Sequence, residues 1–168
     1  VPSPRSIFKK IWKLPAAHFL IYKNKNVSIS KYWDIDFSKK HSFIKEAEVQ
    51  ERLLQILQAV IKRHLISDVP LGVFLSGGID SSAIAALSSG FLNNGVKTFS
   101  IGFKEDSFDE SEYALKVSRL YNTKHHHHIF EITDLLRIIP KAMHYLDEPL
   151  ADASFFPTYL LSNFAKQN

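Results

Sequence analysis

The sequence predicts an α/β fold, a parallel β-sheet with helices on its faces, preceded by a β-hairpin. Three observations carry this. Residues 18–35, HFLIYKNKNVSISKYWDI, alternate β-branched and aromatic residues with polar ones on both sides of a polar Asn24-Lys25-Asn26 turn, the pattern of a hairpin. From Glu46 to about Leu65, Val49, Leu53, Leu54, Leu57, Val60, Ile61 and Leu65 recur at helical spacing with charge on the opposite face. Beyond Val69 the strand and helix patterns alternate, and strands joined through helices run parallel.

Each element follows from its residues. VPSPRSIFKKIWKLPAA, residues 1–17, has three prolines and no sustained period, so it reads as irregular. Val69–Leu75 reads as a buried strand, residues 80–89 as a helix ended near Gly90, and Lys97–Phe103 as a second strand. A helix from Asp109 to Tyr121 opens on an acidic turn, favourable at the positive end of the helix dipole. His126–Ile132 reads as a third strand. Thr133 is placed to cap a helix running toward Leu146 that Pro140 kinks or divides. SFFPTYLLSNF, residues 154–164, reads as an apolar helix that would stay exposed unless further strands cover it.

Composition narrows the classes. With 168 residues, 45% hydrophobic and 23% charged, the chain suffices for one ordinary core plus a flanking piece. It has no cysteine, which excludes disulfides, thiolate metal sites and a cysteine nucleophile within these residues. Val1–Lys10 has no apolar signal-peptide core, and the longest uncharged runs fall short of a membrane span, so a soluble, cytoplasmic protein with no membrane partner is expected. The net charge of +4 is uneven: residues 1–45 hold ten Lys and Arg against Asp34 and Asp36. Spaced lysines without a recognition motif read as a solvated face, so no nucleic-acid partner is expected.

The chemistry concentrates in VPLGVFLSGGIDSSAIAAL, residues 69–87. A loop between a strand and a helix sits where parallel sheets bind ligands. The helix's free N–H groups and positive end face the crevice there and favour an anion. Gly77 and Gly78 allow close backbone approach, and Ser76, Ser81 and Ser82 add hydroxyl donors. Gly72 and Gly77 have the spacing of a Walker loop, yet Gly78 and Ile79 stand where Lys and Ser or Thr are required, and no G-x-G-x-x-G is present. Asp80 would repel phosphate unless a cation such as Mg²⁺ lay between them, so the loop reads as a Mg-pyrophosphate site. Two glycines alone would fit a plain connecting turn; SGGIDSS between a strand and a helix is far more specific.

That string resembles the pyrophosphate loop of the N-type ATP pyrophosphatases. With PRSIFKKIWKLPAAHFLIY, SKYWDI, TFSIGF and DEPLADAS, the chain from about Pro4 onward resembles the synthetase part of glutamine-dependent asparagine synthetases. The resemblance implies a Rossmann-like domain of the adenine nucleotide alpha-hydrolase type, incomplete here. Residues 1–45 would be the linker and hairpin from the end of a glutaminase domain, and 46–168 the N-terminal part of the synthetase domain. By the same resemblance Ser76, Gly77, Gly78, Ser81 and Ser82 hold the β,γ-phosphates of ATP, Asp80 binds Mg²⁺, and backbone groups at Leu75 and Ile101 hold the adenine. The implied reaction adenylates a carboxylate, aspartate or a similar one, and ammonia from glutamine then forms the amide. The resemblance admits a homodimer. The family also carries a second phosphate loop, S-G-[DE]-G-x-D-E, after a fourth strand, and a glutaminase domain with a cysteine nucleophile, so the chain is expected to be a fragment.

Two further groups stand out. On a strand, successive residues of the run His125–His128 point to opposite faces and do not converge as tetrahedral metal ligands, so the run reads as mainly structural. In LDEPLADAS, Asp147 and Glu148 are candidates for substrate or metal binding, against the plainer reading of a solvated acidic turn. Alternatives to an asparagine-forming enzyme are a β-lactam synthetase or tailoring amidotransferase, which would share the loop, and a noncatalytic nucleotide-binding fragment.

Overall fold

In the computed structural model, residues 1–38, 40, 45–92, 95–104 and 110–168 are described. The chain divides into two compact units, Val1–Ile44 with Leu146–Ala151, and Lys45–Tyr145 with Asp152–Asn168.

The first unit is built on the expected hairpin. Strands β1 (His18–Lys23) and β2 (Asn26–Lys31) pair antiparallel from His18 opposite Lys31 to Lys23 opposite Asn26. Asn26 is thus already in the ladder, and the turn is the two-residue Asn24-Lys25, both at positive φ (52° and 64°). Such a turn matches the natural twist of the two strands. Lys13 forms an ion pair with Glu148 and donates to the Val1 carbonyl at 3.0 Å, which ties the acidic segment into this unit.

The second unit holds the α/β architecture. Helix α1 (Glu46–His64) has Glu46 and Glu48 in its first turn and Lys62, Arg63 and His64 in its last, both favourable to the helix dipole. Its apolar stripe seats Ile61, while Val49, Leu53 and Leu54 stay exposed. It packs chiefly on the next helix rather than on the sheet. Strand β3 covers only Gly72–Phe74, shorter than expected. Pro70 has no N–H to give a ladder, and Val69 is 67% exposed. Leu75 carries the pairing one step on, its N–H donating to the Phe99 carbonyl at 2.8 Å.

Helix α2 (Ile79–Ser89) starts directly after the glycine pair and ends at Gly90. Strand β4 spans Lys97–Phe103 as expected, and helix α3 spans Ser111–Leu120; the Asp109 start expected for it lies outside the described residues. The third parallel strand, β5, is Lys124–Phe130, two residues earlier than the sequence pattern suggested. Its register explains the shift, since Lys97 pairs with Lys124 and Phe103 with Phe130, matching β5 to the length of β4. The order is β3-β4-β5. Ile132 consequently opens helix α4 (Ile132–Met143) instead of closing a strand. Glu131, not Thr133, precedes that helix, and its N–H donates to the Asp134 carboxylate at 3.1 Å. The helix runs through Pro140 undivided. Helix α5 (Phe155–Gln167) buries Leu160 and sets Phe164 edge-on to Phe99 at 6.1 Å, so β4 already covers part of the apolar face expected to be exposed.

The core lies where α2 and α3 meet the strand ends. Leu75, Ala85 and Ala114 are buried together, with Val73 and Val117 against them. Two alanines let both helices approach the sheet closely, so the loop between β3 and α2 is fixed from both sides.

The four histidines alternate across β5, as their strand placement requires. His126 stacks on Phe99 at 5.1 Å, and His128 meets Phe164 at 5.6 Å. His125 and His127 face the other way and meet polar residues of β4. Burial, then the neighbouring His127 and His126, pushes His125 below the ordinary imidazole range. The folded chain therefore takes up a proton at His125 less readily than the unfolded chain. This stability is full above about pH 6.5 and is lost as pH falls below it. Thermal unfolding midpoints are expected to drop between pH 7.5 and 5.5, and His125→Gln to flatten that dependence; an unchanged slope in the variant would assign the acid sensitivity elsewhere.

Candidate functional site

SGGIDSS forms the joint between β3 and α2. Gly77 adopts φ +86°, the left-handed region that only glycine enters without strain. The space around it is closed as well. A Cβ there would meet the Ala114 backbone nitrogen and the Tyr113 carbonyl carbon, each at 2.6 Å, besides the Tyr113 Cβ. Gly78 differs: its φ is −67°, and an added Cβ would touch only the Ser76 hydroxyl at 3.3 Å. The two glycines thus have separate duties, Gly77 for close packing on α3 and Gly78 for entry into α2.

Serines brace the loop from inside. The Ser76 and Ser81 hydroxyls lie 3.0 Å apart, and Ser81 Oγ donates to the Gly78 carbonyl at 3.1 Å. The Gly78 N–H donates to Ser76 Oγ at 3.2 Å, and the Ser82 N–H to the Gly78 carbonyl at 3.0 Å. Ser82 Oγ is the exception among the described residues, buried with no hydrogen-bond partner. An orphaned hydroxyl in the first turn of a helix suits an anionic ligand better than a connecting turn, because leaving it unpaired costs about 1–3 kcal/mol.

Beside the loop opens a cleft of about 350 Å³. Leu75, Ser76, Ser81 and Ile101, four of the residues singled out in the sequence, line it. They come from the carboxyl ends of β3 and β4 and from the first turn of α2. Gly77 and Gly78 belong to the same loop and Ser82 to the first turn of α2, and none of the three lines the cleft. Asp80 is exposed and borders a different, smaller groove with Leu57, Ile61 and Ile84. Asp147 and Glu148 belong to the first unit, where Asp147 is exposed and Lys13 lowers the Glu148 pKa through a hydrogen bond and its charge.

The cleft also contains residues that motif reading missed. Phe74, Phe103 and Leu161 give it apolar walls, and Glu110 and Ser111 contribute from the start of α3. Ser100 lines it from β4. A signal for Ser100 was present: Thr98 and Ser100 are spaced by two in a strand that is otherwise apolar after Lys97, and His125 and His127 are spaced alike on the next. No comparable signal marks Glu110 or Ser111. Apolar walls with a few converging polar groups suit a flat ring system with a charged tail. Among the described residues no group of three or more His, Asp or Glu side chains forms a metal cluster, and no helix is long and apolar enough to cross a membrane.

Comparison with known proteins places this geometry in context. The asparagine synthase family model matches residues 52–168. A putative glutamine-hydrolyzing asparagine synthetase 2 of Methanocaldococcus jannaschii is 36% identical, over 99% of this chain and 32% of that protein. The glutamine-hydrolyzing asparagine synthetase 1 of Bacillus subtilis is 28% identical, over 100% of this chain and 26% of that protein. An NH3-dependent NAD synthetase of Campylobacter jejuni superposes with a TM-score of 0.44 at 21% identity, over 74% of this chain and 53% of the other. The chain spans about a third or less of the length of these two curated relatives.

The two glycines yield a contrast. Gly77→Ala is expected to destabilise the protein by about 1–3 kcal/mol through backbone strain and the clash with α3. Gly78→Ala, at an ordinary φ, is expected to change stability by less than about 1 kcal/mol. Denaturant unfolding checks both, and equal losses at the two positions would refute the division of duties.

Proposed function

Because the chain belongs to the asparagine synthase family, we propose that it forms the nucleotide-binding part of an ATP-dependent ligase that makes an amide from a carboxylate, with aspartate as substrate and asparagine as product. The observation that carries this reading is the loop: a glycine held at φ +86° against α3, followed by a helix whose first turn keeps a buried, unpaired Ser82 hydroxyl. Those features fit a bound pyrophosphate group. In the full-length polypeptide a glutaminase domain would supply ammonia, residues 1–45 would be the join to it, and 46–168 the first part of the synthetase domain.

The chemistry follows from what a carboxylate lacks. It is a poor electrophile, so an oxygen of the aspartate side chain attacks the α-phosphorus of ATP and the bond to the β-phosphate oxygen breaks, releasing pyrophosphate and leaving β-aspartyl-AMP. Ammonia then adds to the acyl carbon, and AMP leaves with the bonding electrons. The chain's contribution to the first step is alignment and charge neutralisation. Ser76, Gly77, Gly78, Ser81 and Ser82 would hold the β,γ-phosphates, while the Leu75 and Ile101 backbones would bound the adenine in the apolar end of the cleft. Mg²⁺ would supply positive charge on the departing pyrophosphate; Asp80, which borders a groove apart from the cleft, would have to turn toward the loop to hold it. Asp147 and Glu148 would meet the substrate ammonium or a metal, and Glu148 would first have to release Lys13.

Substrate-dependent exchange of labelled pyrophosphate into ATP by the full-length protein tests this, screened over aspartate and other carboxylates. Aspartate is expected to support exchange, and Asp80→Ala to reduce it by at least about a hundredfold, in keeping with loss of a preorganised charge. Exchange with a different carboxylate only would redirect the substrate assignment. Undiminished exchange in Asp80→Ala at ordinary Mg²⁺ would remove Asp80 from the site.

A further inference from the structure

Five side chains form an unbroken hydrogen-bonded row behind the cleft. Thr123 Oγ1 lies 2.7 Å from Thr98 Oγ1, which lies 2.9 Å from His125 Nδ1. His125 Nε2 is 3.1 Å from Ser100 Oγ, and Ser100 Oγ is 2.9 Å from His127 Nδ1. Thr98 is fully buried and Ser100 only 4% exposed, so water does little to orient either hydroxyl. Ser100 is also where this row reaches the cleft wall.

The placement has a chemical meaning. On the sheet face that Thr98 and Ser100 share with Val73 and Leu75, the cleft is apolar at Leu75 and Ala114, and Ser100 is the polar residue that β4 adds there; Ile101 and Phe103 alternate to the other face. A hydroxyl on a flexible surface rotates freely. Here two imidazole nitrogens fix the oxygen and leave it a restricted set of directions for a further partner. Ser76 and Ser81, the serines of the cleft that belong to the phosphate loop, are engaged with each other.

We propose that Ser100 is a specificity-determining contact for the sugar–base half of the nucleotide, and that His125 and His127 are positioning residues acting through its hydroxyl. This rests on reading the cleft as a nucleotide site. The phosphate loop recognises any nucleoside triphosphate; a fixed hydroxyl among apolar walls discriminates between the sugar–base portions.

Calorimetric ATP binding to the full-length protein, with nitrogen NMR of its imidazoles, provides the test. Ser100→Ala is expected to raise the Kd for ATP about 3- to 10-fold, the effect of one neutral hydrogen bond, while pyrophosphate alone binds as before. His127 is exposed, so its variants leave the core intact. His127→Ala is expected to reproduce the Ser100→Ala loss, and His127→Asn, whose amide reaches the Nδ1 position, to restore affinity to within about twofold. ATP is expected to shift the His125 and His127 resonances, and pyrophosphate to leave them unmoved. If Ser100→Ala binds ATP like the parent and the imidazoles do not respond, the inference falls while the nucleotide reading stands. If the parent binds no ATP, both fall.

Discussion

The close approach of Gly77 to α3 is the constraint on which the site depends. The loop is pressed against the Tyr113–Ala114 backbone at a distance that admits no side chain. Ala114 and Ala85, buried beside Leu75, bring α3 and α2 close enough to the strand for this to happen. Small residues on two helices and one missing Cβ in the loop are therefore a single device. It fixes the start of α2 and, with it, the direction of that helix's first N–H groups. Serine hydroxyls then satisfy the loop internally, leaving Ser82 Oγ as the buried hydroxyl without a hydrogen-bond partner among the described residues.

Rigidity there would serve the proposed adenylation, which asks for alignment more than for acid or base catalysis. A loop that had to order itself on binding a ligand would lose affinity to conformational entropy. Packing on α3 meets that cost during folding. The cleft shares this economy, since Leu75 contributes to the core through its side chain and to the cleft at the end of its strand.

The sequence made the loop legible because its chemistry is local: strand, SGGIDSS and helix lie within 18 residues of one another, 72–89. The same holds for α1, α2, β4 and the hairpin, whose periods are strong and whose ends carry glycine or charge. Errors arose where partners decided. Strand β5 starts at Lys124 because β4 begins opposite it, and β3 is short because Pro70 precedes it. The row from Thr123 to His127 joins residues of two strands whose pairing no single window contains, so only its spacing of two was visible. Family resemblance implies the roles proposed for the loop residues; the geometry adds why Gly77 and Gly78 are not equivalent.

The row of hydroxyls and imidazoles also settles which part of a monotonous stretch faces which partner. His125 to His128 are chemically identical, so a parallel strand built from them has little in its own composition to distinguish one alignment from the next. Slipping β5 by one residue would turn His126, stacked on Phe99, toward Thr98 and carry its neighbours to the wrong face. Slipping it by two so that His127 lay opposite Thr98 would preserve the faces but set Ile129 beside Ser100, leaving a buried hydroxyl against a hydrocarbon. Thr98, Ser100 and Thr123 thus act as a vernier on a scale with repeated marks: the degenerate run supplies the surface, and three hydroxyls read off its zero.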